Sequence, residues 1–324
     1  MTPVLEAKGL SVGYRISGGL LARSRSLPIL HDINLRLEPG QTLGIVGESG
    51  CGKSTLGRAL LHLIPRDGGQ VLWNGDDPAS LSRDALWRRR AEMQIIFQDP
   101  IAALDPRMTL GQIVSRPLAT FEPGLSRADR SARVAEALRL VGLSEDFARR
   151  YPHELSGGQA QRVGIARGLI GKPKVIICDE PVSALDVSIQ AQVVNLLMDI
   201  QAELGLALVF ISHNLAVVRQ ISHRIMVMCL GRVVEEAPRD AFYARPLHPY
   251  AQALKAAVPE PDPVAERLRR GKSLQGELPS ITRPPPGCVF VSRCPLAQPL
   301  CHAERPALRA LPVGRSAACH FIEG

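Results

Sequence analysis

Residues 42–64 read TLGIVGESGCGKSTLGRALLHLI. Thr42–Val46 is short and largely apolar, the pattern of a buried strand. KSTLGRALLHLI has helical spacing and should run until Pro65 stops it. Between them, GESGCGKST fits G-x-x-x-x-G-K-[ST] through Gly47, Gly52, Lys53 and Ser54, in the strand–turn–helix setting that gives this motif its meaning. Glycines let backbone N–H groups wrap a phosphate chain, and the helix N-terminus and Lys53 add positive charge. Ser54 is placed for Mg²⁺.

Working outward, strand and helix patterns alternate. Ile33, Leu35 and Leu37 alternate as in an antiparallel strand. Gln94–Phe97 (QIIF), Val175–Cys178 (VIIC) and Ala207–Ile211 (ALVFI) read as buried strands. About 102–170 the pattern is helical. Val134, Leu138 and Val141 share a face, with Ser126 and Asp129 at its cap and Gly142 at its stop. RIMVMCLGRVVEEA reads as a closing hairpin turning at Leu230-Gly231. This alternation predicts an α/β fold with a largely parallel sheet. Beyond about Pro246 prolines crowd in (Pro259, Pro261, Pro263, Pro279, Pro284–Pro286), which predicts an irregular extension. The expected division is 1–245 with a helical part near 102–170, followed by 246–324.

The 324 residues are 45% hydrophobic and 22% charged, ample for a globular core. Neither a signal peptide nor an apolar run long enough to cross a bilayer is evident, so a reducing cytosol is expected. The chain has 39 basic and 31 acidic residues, a net charge of +8. Basic runs at Arg88–Arg90 and at Arg269, Arg270 and Lys272 suit nucleic acid, anionic lipid or simple solvation. Aromatic residues are only 4%, poor supply for base stacking.

A Mg²⁺–nucleotide site needs a carboxylate at a strand end, and VIICDE supplies Asp179 for the metal and Glu180 to polarise water. LSGGQAQR (Leu155–Arg162) opens a helix with an S-x-x-Q capping box, Ser156 and Gln159. Gly157 and Gly158 bare the backbone there, which makes a second anion site. One phosphate loop already serves the chain's own nucleotide, so the second site points to the nucleotide of another subunit.

In these motifs the chain resembles the ATP-binding cassette family. Gly47–Thr55, with Ser49, Gly50 and Cys51 inside it, is similar to the Walker A motif, Gln98 in FQDP to the Q-loop, and LSGGQ to the signature. Asp179-Glu180 resemble Walker B, Asp186 in SALD the D-loop, His213 in ISHN the switch histidine, and Tyr14 the adenine-stacking aromatic. The resemblance implies a RecA-like core, an antiparallel β subdomain and a helical signature subdomain. It also implies Mg²⁺ held by Ser54, Gln98 and Asp179. Asn214, Ala160 and Cys178 depart from the commoner family residues, and none removes a catalytic side chain.

RPLHPYAQAL, GELPS and PPPGCVFVSRCP, with the later ACH, look like the C-terminal region of oligopeptide/dipeptide importer ATPases, a group that includes nickel and glutathione importers. The resemblance implies an ATPase driving peptide import at the cytoplasmic face of the inner membrane. A paralogous ATPase, two transmembrane permease subunits and an external solute-binding protein would be its partners, and nucleic acid would not. The rival class is a translation- or nucleic-acid-associated ATPase on the same cassette.

Four of the seven cysteines fall in the tail, spaced Cys288-x5-Cys294-x6-Cys301-x17-Cys319. Clustered thiols in a reducing compartment favour metal ligation over disulfides. Four thiolates suit a [4Fe–4S] cluster or structural Zn²⁺, and x5 and x6 are wide for zinc. Resemblance to peptide-importer ATPases, some of which carry an iron–sulfur cluster here, favours iron. His320 is the alternative to Cys319. Cys51, Cys178 and Cys229 are expected to stand apart.

Overall fold

The structure, a computed structural model, describes residues 2–18, 22–258 and 281–322. The run Arg269–Lys272, four of the tail prolines (Pro259, Pro261, Pro263, Pro279) and GELPS lie outside the described residues. The strands are β1 (Leu5–Gly18), β2 (Ala22–Leu37), β3 (Thr42–Val46), β4 (Gly68–Trp73), β5 (Met93–Ile96) and β6 (Val175–Asp179). They continue with β7 (Ala207–Ile211), β8 (Arg224–Cys229), β9 (Arg232–Pro238), β10 (Arg309–Leu311) and β11 (Arg315–Ala317). Packing divides the chain into two compact units. One comprises Met1–Glu6, Arg36–Thr42 and Val71–Ile211, the other Ala7–Leu35, Leu43–Gln70 and Ser212–Gly324.

In the first unit β5, β6 and β7 are parallel, with Ile177 opposite Ile95 on one side and Val209 on the other. A parallel sheet covered on both faces needs continuous apolar strands, and every residue of β6 and β7 is buried. The helical stretch resolves into separate helices with their own stops. Leu110–Phe121 begins with a reciprocal Thr109–Gln112 capping box. Arg127–Leu140 starts at Ser126, whose hydroxyl accepts from the Asp129 N–H at 3.1 Å, and ends before Gly142 at φ 71°. Val134, Leu138 and Val141 are all buried. The helix Gly157–Leu169 follows, then Val187–Leu204, which is closed by Gly205 at φ 63°.

In the second unit β3 runs parallel to β8, with Ile45 opposite Met226. The β8–β9 hairpin turns at Leu230 and Gly231, φ 43° and 73°, the paired positive angles of a two-residue hairpin loop. The N-terminal segment, expected to form strands, contributes to a sheet ordered β2-β1-β4.

Two elements differ from expectation. The helix begun at Lys53 ends at Leu60, short of Pro65. His62 adopts φ 51° and donates to Ala59 O, while the Leu63 N–H reaches back to Arg58 O at 2.9 Å. That paired bonding is a Schellman stop, with histidine where glycine is usual. The tail is also more regular than its prolines imply. It carries the helix Pro249–Ala256 and the hairpin β10–β11, and β11 pairs antiparallel with β9. Glu235, fully buried on β9, anchors the segment by accepting from the Leu247 N–H (2.9 Å), the His248 N–H (2.7 Å) and Arg315 Nη2 (3.2 Å).

Candidate functional site

β3 delivers the phosphate loop. All five of its residues are buried, and Ile45 O accepts from the Ser212 N–H at 3.1 Å. The loop enters its helix through Gly52 at φ 104°, a conformation that suits glycine. No side chain caps that helix start, as an anion cradle built from its first N–H groups requires. Lys53 is buried, and its Nζ donates to Gly47 O at 2.8 Å and Glu48 O at 3.0 Å. Cys51 Sγ lies 4.0 Å from Nζ. Burial raises the Cys51 pKa, and Lys53 opposes that rise. Ser49 and Gly50 are exposed at the loop tip, and Ser54 and Thr55 are half-buried on the helix.

In the same unit Tyr14 stands exposed on β1. His213 is exposed between buried Ser212 and the helix Leu215–Ile221. Asn214 caps that helix, its Oδ1 accepting from the Ala216 N–H at 3.0 Å and the Val217 N–H at 3.4 Å. Asparagine therefore does here what aspartate would do.

The first unit holds the acidic residues. Asp179 closes β6 and is buried. Glu180 follows at φ 47°, its N–H bonded to Ile211 O at 3.0 Å. A non-glycine residue in the left-handed region is strained, and such strain gathers at functional sites. Gln98 Nε2 donates to Glu180 Oε2 at 3.3 Å, so the Q-loop and Walker B candidates meet. Cys178 is fully buried, and burial, then the Asp179 charge, pushes its pKa up to about 12.

The signature segment forms the reciprocal box read from sequence. Ser156 Oγ accepts from the Gln159 N–H at 3.3 Å, and Gln159 Oε1 accepts from the Ser156 N–H at 3.0 Å. A Cβ on Gly158 would stand 2.6 Å from Ile189 Cγ2, so a side chain there would have to displace Ile189; Gly157 precedes it in the first turn. Asp186 starts the helix Val187–Leu204 without capping it, which leaves its exposed carboxylate uncommitted to that cap.

Two residues that sequence reasoning passed over grip the phosphate loop. The Glu48 N–H donates to Tyr250 Oη at 2.8 Å. The Glu48 carboxylate is held bidentately by Arg293, Nη1–Oε2 2.8 Å and Nη2–Oε1 2.9 Å. Their only sequence signal was an arginine beside Cys294 and a tyrosine in RPLHPYAQAL.

Cys288, Cys294, Cys301 and Cys319 line one small cavity together with His320. All seven cysteines are free thiols. Burial raises the Cys288 and Cys294 pKa values, as do, more weakly, the neighbouring sulfurs. The Cys288 N–H bonds to Cys301 O at 2.8 Å. His320 Nε2 lies 3.1 Å from Glu304 O and is engaged there. Among the described residues no three His, Cys, Asp or Glu side chains converge to hold one metal ion. Neither the [4Fe–4S] expectation nor its zinc alternative therefore finds a preformed ligand group among the described residues.

The family model "ABC transporter" matches residues 30–183, and "Oligopeptide/dipeptide transporter, C-terminal region" matches 234–301. "Oligopeptide transport ATP-binding protein OppF" of Salmonella typhimurium is 53% identical over 308 residues, covering 94% of this chain and 92% of the relative. The chain belongs to the ABC transporter ATP-binding family. The protein of the same name from Haemophilus influenzae is 47% identical, covering 98% of this chain and 96% of its own. Among solved structures, the dimeric ATP-binding cassette MJ0796 with ADP and Pi superposes at a TM-score of 0.64 with 30% identity, over 72% of this chain and 98% of that one. The cassette cbiO1 of Clostridium perfringens, part of the ABC transporter complex cbiONQ, gives 0.66 at 28% identity, over 76% of this chain and 92% of that one. As a member of this ABC family the chain is an ATPase, and its fold is the α/β cassette. Among the described residues no helix is long and apolar enough to cross a membrane.

Proposed function

We propose that this ATPase powers import of short peptides, seated on the cytoplasmic face of a bacterial inner membrane as a peripheral subunit. The observation that carries the reading is similarity to oligopeptide ATP-binding proteins that runs through the C-terminal region as well as the cassette. The cassette would span 1–245, with its helical part near 102–170, and the extension 246–324.

In this reading Tyr14 stacks on adenine. The backbone of Gly47, Ser49, Gly50, Cys51, Gly52 and Thr55 wraps the phosphates, and Lys53 neutralises them. Ser54, Gln98 and Asp179 hold Mg²⁺. Glu180 accepts a hydrogen bond from the attacking water, which displaces ADP from the γ-phosphorus. The bond donated by Gln98 fixes which way that carboxylate faces. His213 steadies the γ-phosphate, and Asp186 lies at the dimer seam. Ser156, Gly157, Gly158 and Gln159 take the partner's nucleotide in trans. The MJ0796 cassette is dimeric, and we favour a heterodimer with a paralogue, two permease subunits and an external solute-binding protein.

The four tail cysteines are the ligands of a [4Fe–4S] cluster in this proposal. Their shared cavity and free thiols support it, and a polynuclear centre tolerates sulfurs that do not meet at one point. The cluster would staple the tail.

Pull-down from native membranes tests the assignment. Permease subunits should co-purify, and labelled peptide uptake should need this chain. Uptake of nickel or glutathione alone would move the substrate class, and recovery of ribosomes or DNA would overturn the importer reading.

A further inference from the structure

The phosphate loop does not stand on its own elements. Glu48, its second residue, is gripped at both ends by the C-terminal segment. Its N–H is bonded to the hydroxyl of Tyr250, a side chain buried completely. Its carboxylate is bonded twice to Arg293, whose side chain is only 6% exposed against 24% for Glu48. Charge-assisted bidentate pairs are among the strongest and most directional polar contacts, and low exposure spares this one from solvent screening.

The grip is itself braced. Phe290, 1% exposed, places its ring 5.2 Å from that of Tyr250 and 6.0 Å from that of His248. The Arg293 guanidinium lies 5.9 Å from the same Phe290 ring. Arg293 ends a 3₁₀ turn, Val291–Arg293, whose Val291 N–H bonds to Cys288 O at 3.1 Å and whose Arg293 N–H bonds to Phe290 O at 3.1 Å. One packed block therefore carries both the hydroxyl and the guanidinium. The carbonyls of Gly47 and Glu48 are the ones that Lys53 reaches, so the residue held by the tail also sets where the loop lysine sits.

We propose that Arg293 and Tyr250 are positioning residues for nucleotide: they hold Glu48 so that the loop amides and Lys53 stay in register for the phosphates. The inference rests on the reading of Gly47–Thr55 as the phosphate loop. An anion cradle made of backbone N–H groups works only if its curvature is set before the ligand arrives. A loop tied at Glu48 by charge and hydroxyl meets that need from outside the cassette.

The test measures ATP affinity with a fluorescent ATP analogue, ATP KM and kcat in the assembled transporter, and melting temperature for each variant. Tyr250→Phe keeps the ring and removes only the hydroxyl. It should weaken ATP affinity about threefold and leave melting nearly unchanged. Arg293→Met should raise Kd and KM about tenfold, the scale of one charged hydrogen bond, with a smaller change in kcat. Arg293→Lys, which keeps charge without the fork, should recover part of the affinity. Pairing Arg293→Met with Glu48→Gln removes the stranded carboxylate and restores melting temperature, yet leaves affinity low. Unchanged Kd in Tyr250→Phe and Arg293→Met would overturn the proposal. So would a Kd that recovers together with melting temperature in the double variant, since that marks a purely structural pair. Lys53→Ala separates the two readings: if it too leaves affinity intact, the phosphate-loop assignment fails, and if it alone loses affinity, only the positioning role fails.

Discussion

Gln98 touches Glu180: the amide nitrogen donates to the carboxylate at 3.3 Å, across 82 residues of sequence. The carboxylate that follows β6 is thus aimed by a side chain from the segment after β5. Glu180→Gln should keep ATP affinity and cut turnover by at least about 10²-fold, the lower range for losing a general base. Phosphate release by the assembled transporter measures this, and near-normal release would remove Glu180 from the role.

Glu180 also bears backbone strain, at φ 47°. Glu180→Gly should abolish turnover while gaining up to about 1 kcal/mol of stability, the left-handed penalty less the entropy cost of glycine. Chemical denaturation reads this directly. A destabilised glycine variant would mean that the carboxylate's own contacts outweigh the strain.

The signature should act in trans. Lys53→Ala abolishes the loop and Ser156→Arg blocks the capped helix start where Ser156 and Gln159 face each other. Mixed dimers retain one intact composite site and should recover partial ATPase activity if the chain can pair with itself. Failure to recover at every mixing ratio, with dimers shown to form, speaks against trans action.

Much of this was legible because the signals are local. Continuous apolar runs identified β6 and β7, and Ser126 and Ser156 announced helix starts through caps that need only three following residues. The Asp179-Glu180 pair followed from its strand. The Schellman stop at His62 escaped notice because it places histidine in a glycine conformation. β10 and β11 are three residues each, too short for a period-2 pattern. Arg293 and Glu48 lie 245 residues apart, and no periodicity connects them. Glu235 looks like ordinary strand polarity, and its burial depends on the Leu247 and His248 amides and the Arg315 guanidinium that arrive later in the chain.

Alkylation should sort the cysteines by burial. Cys178, with its pKa pushed up to about 12, holds almost no thiolate at pH 8 and should stay unmodified by iodoacetamide in the folded protein. Cys229 is raised further by burial and should behave alike. Cys294, the least buried of the seven, should label first when the tail carries no metal. Mass spectrometry gives the order, and early labelling of Cys178 would contradict the burial of β6.

Acid should loosen the tail. Burial lowers the His248 pKa to about 4 from its ordinary 6.5, so the folded state prefers the neutral ring. Below pH 6.5 the unfolded chain binds the proton first. Stability from this group is therefore complete above 6.5 and lost as pH falls toward about 4. His248 Nδ1 also accepts from the Tyr250 N–H at 3.0 Å. His248→Asn offers a cap oxygen without titrating, and should flatten the melting profile between pH 6.5 and 4.

The hairpin laid on β9 has a further consequence for solubility. Inside its unit β9 is bonded to β8 on one side and to β11 on the other, with the Ala318 N–H reaching Val234 O at 2.8 Å. Stripped of β10 and β11, it would offer a row of unpaired amides and carbonyls backed by Val233 and Val234, a template for strand addition between copies. The outermost strand is instead β10, three residues long and led by exposed Arg309. Short length and charge make a poor template, so the tail turns an adhesive rim into an inert one, and a version cut back to the cassette should form aggregates that the full chain does not.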